Sequence, residues 1–143
     1  MTNALLACAP LLLVTACSPP PPAIEVRDVW ARATAPGQTR GAVYATIVNK
    51  GGADRLTGAR SDRARSAMLH SNRTEDGVAK MRMLGEVAIP ARANVALAPG
   101  ATHIMLEGLT APLVAGETMA VTMRFAKAGT MTVAATITAP GAR

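Results

Sequence analysis

Aromatic side chains are scarce in this sequence of 143 residues, which contains one Trp, one Tyr and one Phe, together 2% of the chain. The net charge is +6, from 15 Lys and Arg against 9 Asp and Glu. A basic charge alone can suggest nucleic-acid binding, but such surfaces usually add aromatic rings that stack on bases, or dense basic runs. Because aromatic rings are so few, we predict no nucleic-acid partner.

Long hydrophobic runs are also missing, since the longest apolar stretches are too short for a membrane span. Half of the residues are nevertheless hydrophobic and 17% are charged, which is the composition of a folded protein rather than a disordered one. The length fits one domain. Only two His and two Cys are present beside eight Met, so the few residues that carry chemistry are easily followed.

The first residues have the composition of an export signal. An uncharged, apolar stretch ends in Val14-Thr15-Ala16-Cys17, which resembles a bacterial lipobox, and four prolines follow from Pro19. We therefore predict a lipoprotein signal peptide over 1–16, a lipidated Cys17 with a proline-rich linker over 17–23, and a folded domain over 24–143. The protein would be exported to the periplasm or cell envelope and bound to a membrane through its lipid.

Acylation of Cys17 and removal of Cys8 with the signal peptide would leave no free thiol in the domain. Disulfides, thiol redox catalysis and thiolate metal sites are then excluded together. The alternative interpretation of this segment is a buried N-terminal helix, which Pro10 and the proline run disfavour.

The domain is predicted to be all-β, because short stretches rich in Val, Ile, Thr and Met alternate with turns that contain Gly, Pro, Asn and Asp. On the last two strands Met119, Met123 and Met131 share a face with Val and Ile, so we predict that they fill the core. Nine short strands in such a length favour a two-sheet Greek-key sandwich. The predicted strands are 25–32, 41–49, 54–61, 66–71, 78–84, 95–97, 102–107, 117–125 and 129–138.

Both histidines have methionine neighbours. His103 and Met105 share a face of one strand, because residues i and i+2 of a strand point the same way. His70 ends an earlier strand, and we expect it to approach Met81 if that strand forms a hairpin with the next. Imidazole and thioether donors together favour Cu(I) over hard cations such as Ca²⁺ or Mg²⁺.

The spacing of these residues resembles the signature of the PCuAC family of periplasmic copper chaperones: His70, ten residues, Met81, twenty-one residues, then His103-x-Met105. The resemblance implies a cupredoxin-like β-sandwich that binds one Cu(I) through these four side chains. It also implies delivery of that copper to the CuA centre of cytochrome c oxidase, with a Sco-type protein in the same route. Further matching segments are Val29-Trp30-Ala31-Arg32-Ala33-Thr34, Gly41-Ala42-Val43-Tyr44, Ile47-Val48-Asn49-Lys50-Gly51-Gly52 and Met105-Leu106-x-Gly108-Leu109.

The sequence is also compatible with other functions. Copper storage or tolerance would use the same ligands, and a lipid-anchored interaction domain would need no metal. An enzyme is not expected, because a blue-copper site needs a Cys thiolate and no acid–base constellation is visible. Met68 and Met83 are accessory candidates near the metal, and we expect a monomer.

Overall fold

The computed structural model describes residues 18–142. The predicted signal peptide over 1–16 and the predicted lipidation site Cys17 lie outside this range. Over residues 18–142, no helix is long and apolar enough to cross a membrane.

The described chain forms ten β-strands, and all nine predicted strands are among them. The strand that was not predicted, β6, has three residues, which is too few to show an alternating pattern. The β4 strand is longer than predicted because its second half is polar and pairs with β5 outside the core. The strands are β1 Ile24–Arg32, β2 Arg40–Asn49, β3 Asp54–Ser61, β4 Ala64–Glu75, β5 Val78–Leu84, β6 Val87–Ile89, β7 Asn94–Leu97, β8 Thr102–Leu109, β9 Thr118–Phe125 and β10 Gly129–Thr138.

The strands form one continuous sheet in the order β5-β4-β8-β2-β1-β10-β9-β3-β6, with β7 beside β2. A bridge between Ala59 of β3 and Ala67 of β4 joins the two ends of this path, so the sheet folds back on itself into two facing walls. All pairs are antiparallel except β1 with β10. The all-β sandwich prediction is confirmed.

Aliphatic and methionine side chains fill the space between the walls, as the shortage of rings requires. Met119 and Met123 are buried, and Met131 packs against the same cluster, which confirms their predicted role. The largest fully buried side chains are Ile47, Leu56, Ile89, Ile104, Leu106, Leu113, Met123, Ile137, Val43 and Val121.

Asp54 ties the start of β3 to the turn between β9 and β10. Its carboxylate accepts hydrogen bonds from the backbone N–H groups of Arg55, Lys127 and Ala128 at 2.8 to 2.9 Å. Burial pushes the pKa of Asp54 upward, but these three donors outweigh it and hold the pKa below its ordinary value.

The proline-rich segment lies against one end of the sandwich. The backbone N–H groups of Lys50 and Gly52 donate to the carbonyls of Ala23 and Pro21, each at 2.9 Å. A Cβ atom added at Gly52 would collide with the carbonyl oxygen of Pro20. The chain before β1 is thus attached to the domain from Pro20 onward, and two adjacent glycines make room for it.

Candidate metal centre

Alternation along β4 and β8 places both histidines on the outer face of the wall. Leu69 and Ile104 are buried core residues, so their strand neighbours His70 and His103 point away from the core. The two histidines are direct cross-strand partners. Their rings are stacked, with centroids 6.1 Å apart and planes inclined by 22°. Residues that are 33 positions apart in sequence thus become neighbours.

Met105 lies on the same face, two residues beyond His103 on β8, and is half-buried. Its cross-strand partner on β4 is Met68. The structure therefore brings His70, His103 and Met105 together, with Met68 next to them.

The predicted hairpin between β4 and β5 is present, but its register differs from the simplest expectation. The residue directly opposite His70 is Met83, whereas Met81 lies opposite Asn72 and is a diagonal neighbour of His70. Cβ atoms of direct partners lie about 4.5–5.5 Å apart, whereas diagonal partners are separated by about 7–8 Å, with a somewhat shorter distance between their Cβ atoms. Met81 and Met83 are 51% and 68% exposed, so both thioethers face solvent at the edge of the sheet.

The turn between β4 and β5 determines this register. Asp76 and Gly77 both have positive φ, 54° and 76°, as a two-residue type I′ hairpin loop requires. Such a loop pairs Glu75 with Val78, and counting back along both strands brings Met83 opposite His70. The pairing of His70 with His103 has no comparable local signal, because it depends on how distant strands assemble.

The ring nitrogens of the two histidines have different environments. His103 is 4% exposed, and its Nδ1 lies 3.0 Å from the carbonyl oxygen of Ala101. Since a carbonyl can only accept, Nδ1–H is the donor and the lone pair of neutral His103 is on Nε2. Metal-binding histidines are commonly oriented by such a second hydrogen bond.

His70 has the opposite character. Its Nδ1 is buried and has no hydrogen-bond partner among the described residues. An unpartnered buried polar atom costs about 1–3 kcal/mol, and a cation bound at this nitrogen would remove that cost. The sequence indicates His70 as a candidate ligand but carries no signal for the buried, unpartnered state of its Nδ1 atom.

Tyr44 and Trp30 extend the row of rings beyond His103. The Tyr44 ring centroid lies 6.3 Å from that of His103, and the Trp30 centroid lies 4.4 Å from that of Tyr44. Both side chains are nearly buried. They form the rigid side of the histidine pair, away from the exposed β5 edge.

The donors of this face are soft or borderline and carry no charge: two imidazoles and several thioethers. Within residues 18–142, no three His, Cys, Asp or Glu side chains come together as a cation site. Neutral sulfur and imidazole donors favour a soft monovalent ion. A surface cavity of about 450 Å³ adjoins Met105 and Tyr44, and Arg32 and Arg40 form part of its wall.

Comparison with known proteins identifies the family. The LpqE-like family matches residues 24–137, which is almost the whole of the described chain. The chain belongs to the LpqE-like family. A relative from Leifsonia xyli subsp. xyli that is named a lipoprotein is 39% identical to this LpqE-like protein over 113 residues, covering 78% of this chain and 67% of the relative.

Solved structures place this LpqE-like chain among PCuAC proteins. The copper-bound PCuAC domain from PmoF2 superposes with a TM-score of 0.70 at 30% identity, covering 82% of this chain and 93% of that domain. The solution structure of CuI-DR1885 from Deinococcus radiodurans superposes with a TM-score of 0.61 at 33% identity, covering 87% and 81%. The PCuAC resemblance and the cupredoxin-like fold that it implied are both confirmed.

Proposed function

We propose that this LpqE-like protein is an extracytoplasmic copper chaperone that binds one Cu(I) on the outer face of β4, β5 and β8. His70, His103, Met105 and Met81 are the proposed ligands. The observation that carries the proposal is the buried, unpartnered Nδ1 of His70. Beside it lies His103, whose Nδ1–H is hydrogen-bonded to the Ala101 carbonyl, so that the lone pair of Nε2 is available for a metal.

The ligand set suits a carrier. All four donors are neutral when they bind the metal. Binding and release of Cu(I) therefore change the charge of the site only by the charge of the ion. Two donors are held rigidly, because His103 and Met105 lie on a central strand. Met81 lies on the exposed edge strand β5, where an acceptor protein can replace it as a ligand.

Comparisons support copper as the cargo, since one structural relative is a copper-bound PCuAC domain and another is a Cu(I) form. The lipoprotein name of the Leifsonia relative supports export and a lipid anchor, which on our proposal is attached at Cys17. The proposed acceptor is the CuA-bearing subunit of cytochrome c oxidase, reached with or without a Sco-type partner by a monomeric, membrane-tethered protein in the periplasm or cell envelope.

Anaerobic titration of the processed protein with Cu(I) against a competing chelator tests the site. We expect one Cu(I) per chain. The double variant His70→Leu, His103→Leu should bind at least roughly 100-fold more weakly, because even residues that only orient a ligand are worth about 10–100-fold. Met131→Leu, which removes a thioether from the opposite wall, is the matched control and should bind normally. Unchanged affinity in the double histidine variant would overturn the proposal.

A second experiment distinguishes delivery from storage. The Cu(I)-loaded protein is mixed with an apo CuA domain, and the absorption of the assembled centre is followed. If the CuA centre assembles only when the Cu(I)-loaded protein is added, the result supports copper delivery. If no copper moves while the protein binds it tightly, storage or tolerance becomes the better interpretation.

A further inference from the structure

The hairpin register offers the metal a donor that the sequence signature does not include. Met83 is the direct cross-strand partner of His70, and Met81 is one diagonal step away. Direct partners have Cβ atoms about 4.5–5.5 Å apart and diagonal partners are separated by about 7–8 Å, so Met83 lies nearer to His70 than Met81 does. Met83 points to the outer face because it pairs directly with His70. Met81 points the same way because it is two residues from Met83 on β5.

Neither methionine is committed to the core. Six of the seven residues of β5 are exposed, and only Leu84 at its end is partly buried. The strand is therefore held by its hydrogen-bond ladder with β4 rather than by burial. An unbranched thioether side chain with three rotatable bonds can reorient toward a metal from either position.

Chemistry does not separate the two candidates. Both offer the same neutral sulfur, so the exchange of one Cu–S bond for the other changes neither charge nor oxidation state. Their surroundings are also similar, since both are more than half exposed. Register favours Met83 as a partner of His70, whereas spacing in the sequence favours Met81.

We propose that Met83 is a second thioether ligand that alternates with Met81 in binding Cu(I) beside His70, His103 and Met105. This inference rests on the proposed copper site. One β5 sulfur keeps the ion in place while the other is released, so an acceptor meets a site whose outer ligand is already exchanging.

The test uses the processed protein with ¹³C-labelled methionine methyl groups, loaded anaerobically with Cu(I). We expect the methyl signals of Met81, Met83 and Met105 to move on loading, while those of Met119 and Met123 in the core stay in place. Variants Met81→Leu and Met83→Leu should each weaken Cu(I) binding by less than roughly tenfold. The double variant should weaken it by more than the product of the two single effects, because each sulfur replaces the other.

Controls keep the outcomes separate. Both side chains are exposed, so the melting temperature of each apo variant should match that of the unsubstituted protein, and Met131→Leu controls for the loss of a sulfur elsewhere. If the Met83 methyl signal stays in place and Met83→Leu leaves affinity unchanged while Met81→Leu alone abolishes binding, Met83 is not a ligand and the proposed function stands. If none of the methyl signals of Met81, Met83 and Met105 responds to Cu(I), the proposed function itself fails.

Discussion

Opposite effects on apo stability are expected when each histidine of the pair is replaced by leucine. His70 carries a buried Nδ1 without a partner, which costs about 1–3 kcal/mol, and its removal recovers that cost. Loss of the ring stacked on His103 offsets about 0.5–1.5 kcal/mol. His70→Leu should therefore raise the free energy of unfolding of the apo protein by about 1 kcal/mol.

His103→Leu should act the other way. Its Nδ1–H donates to the Ala101 carbonyl at 3.0 Å, and a hydrogen bond of this kind contributes about 1 kcal/mol. The same stacking is lost as well. We expect a decrease of about 1.5–2.5 kcal/mol, although the two substitutions are chemically identical and concern adjacent residues on one face.

Thermal unfolding with and without Cu(I) measures both effects. For a domain of this size 1 kcal/mol corresponds to about 3–5 °C in melting temperature, so the two apo variants should differ by roughly 8–18 °C. An ion at a free concentration of 100 times its Kd stabilises the native state by about 2.7 kcal/mol, and both variants should lose this increase. If His70→Leu destabilises the apo protein as much as His103→Leu does, the Nδ1 atom of His70 is not unsatisfied, and the observation on which the copper site rests is removed.

Three further predictions concern the surroundings of the site and the rest of the fold. Gly52→Ala should detach Pro20 from the end of the sandwich, because the added Cβ collides with its carbonyl; faster amide exchange at residue 52, with Cu(I) affinity unchanged, would show this. Asp54→Asn should cost about 2 kcal/mol in urea unfolding at pH 7. Because the pKa of Asp54 is lowered on folding, its contribution is complete above the unfolded pKa of about 4 and is lost as the pH falls through the lower folded pKa, so the difference between variant and parent should shrink with falling pH. Tyr44→Leu removes the ring beside His103 and should weaken Cu(I) binding about tenfold, with a urea curve to verify folding.

Strand positions were predictable because the core imposes alternation on every strand that it touches. Where a strand leaves the core, that signal ends: the polar second half of β4 went unpredicted although it forms a full ladder with β5. The sequence predicts a hairpin of β4 with β5 and Met83 as an accessory candidate, but the direct pairing of Met83 with His70 depends on the register that the Asp76-Gly77 turn dictates. No local pattern indicates the pairing of β4 with β8, because it depends on which strands become neighbours in the sheet.

The two sides of the site follow from this difference in how its strands are held. Toward the centre of the wall, Trp30, Tyr44 and His103 form a nearly buried row, so the imidazole cannot move without disturbing the packing of two strands. Toward the edge, β5 has almost no buried surface, and its sulfur atoms can shift at little cost. A permanent metal centre would need all ligands held in the first way. A protein that must bind an ion selectively and then release it needs both rigidly held ligands and mobile ligands. Release should therefore begin at the edge strand β5.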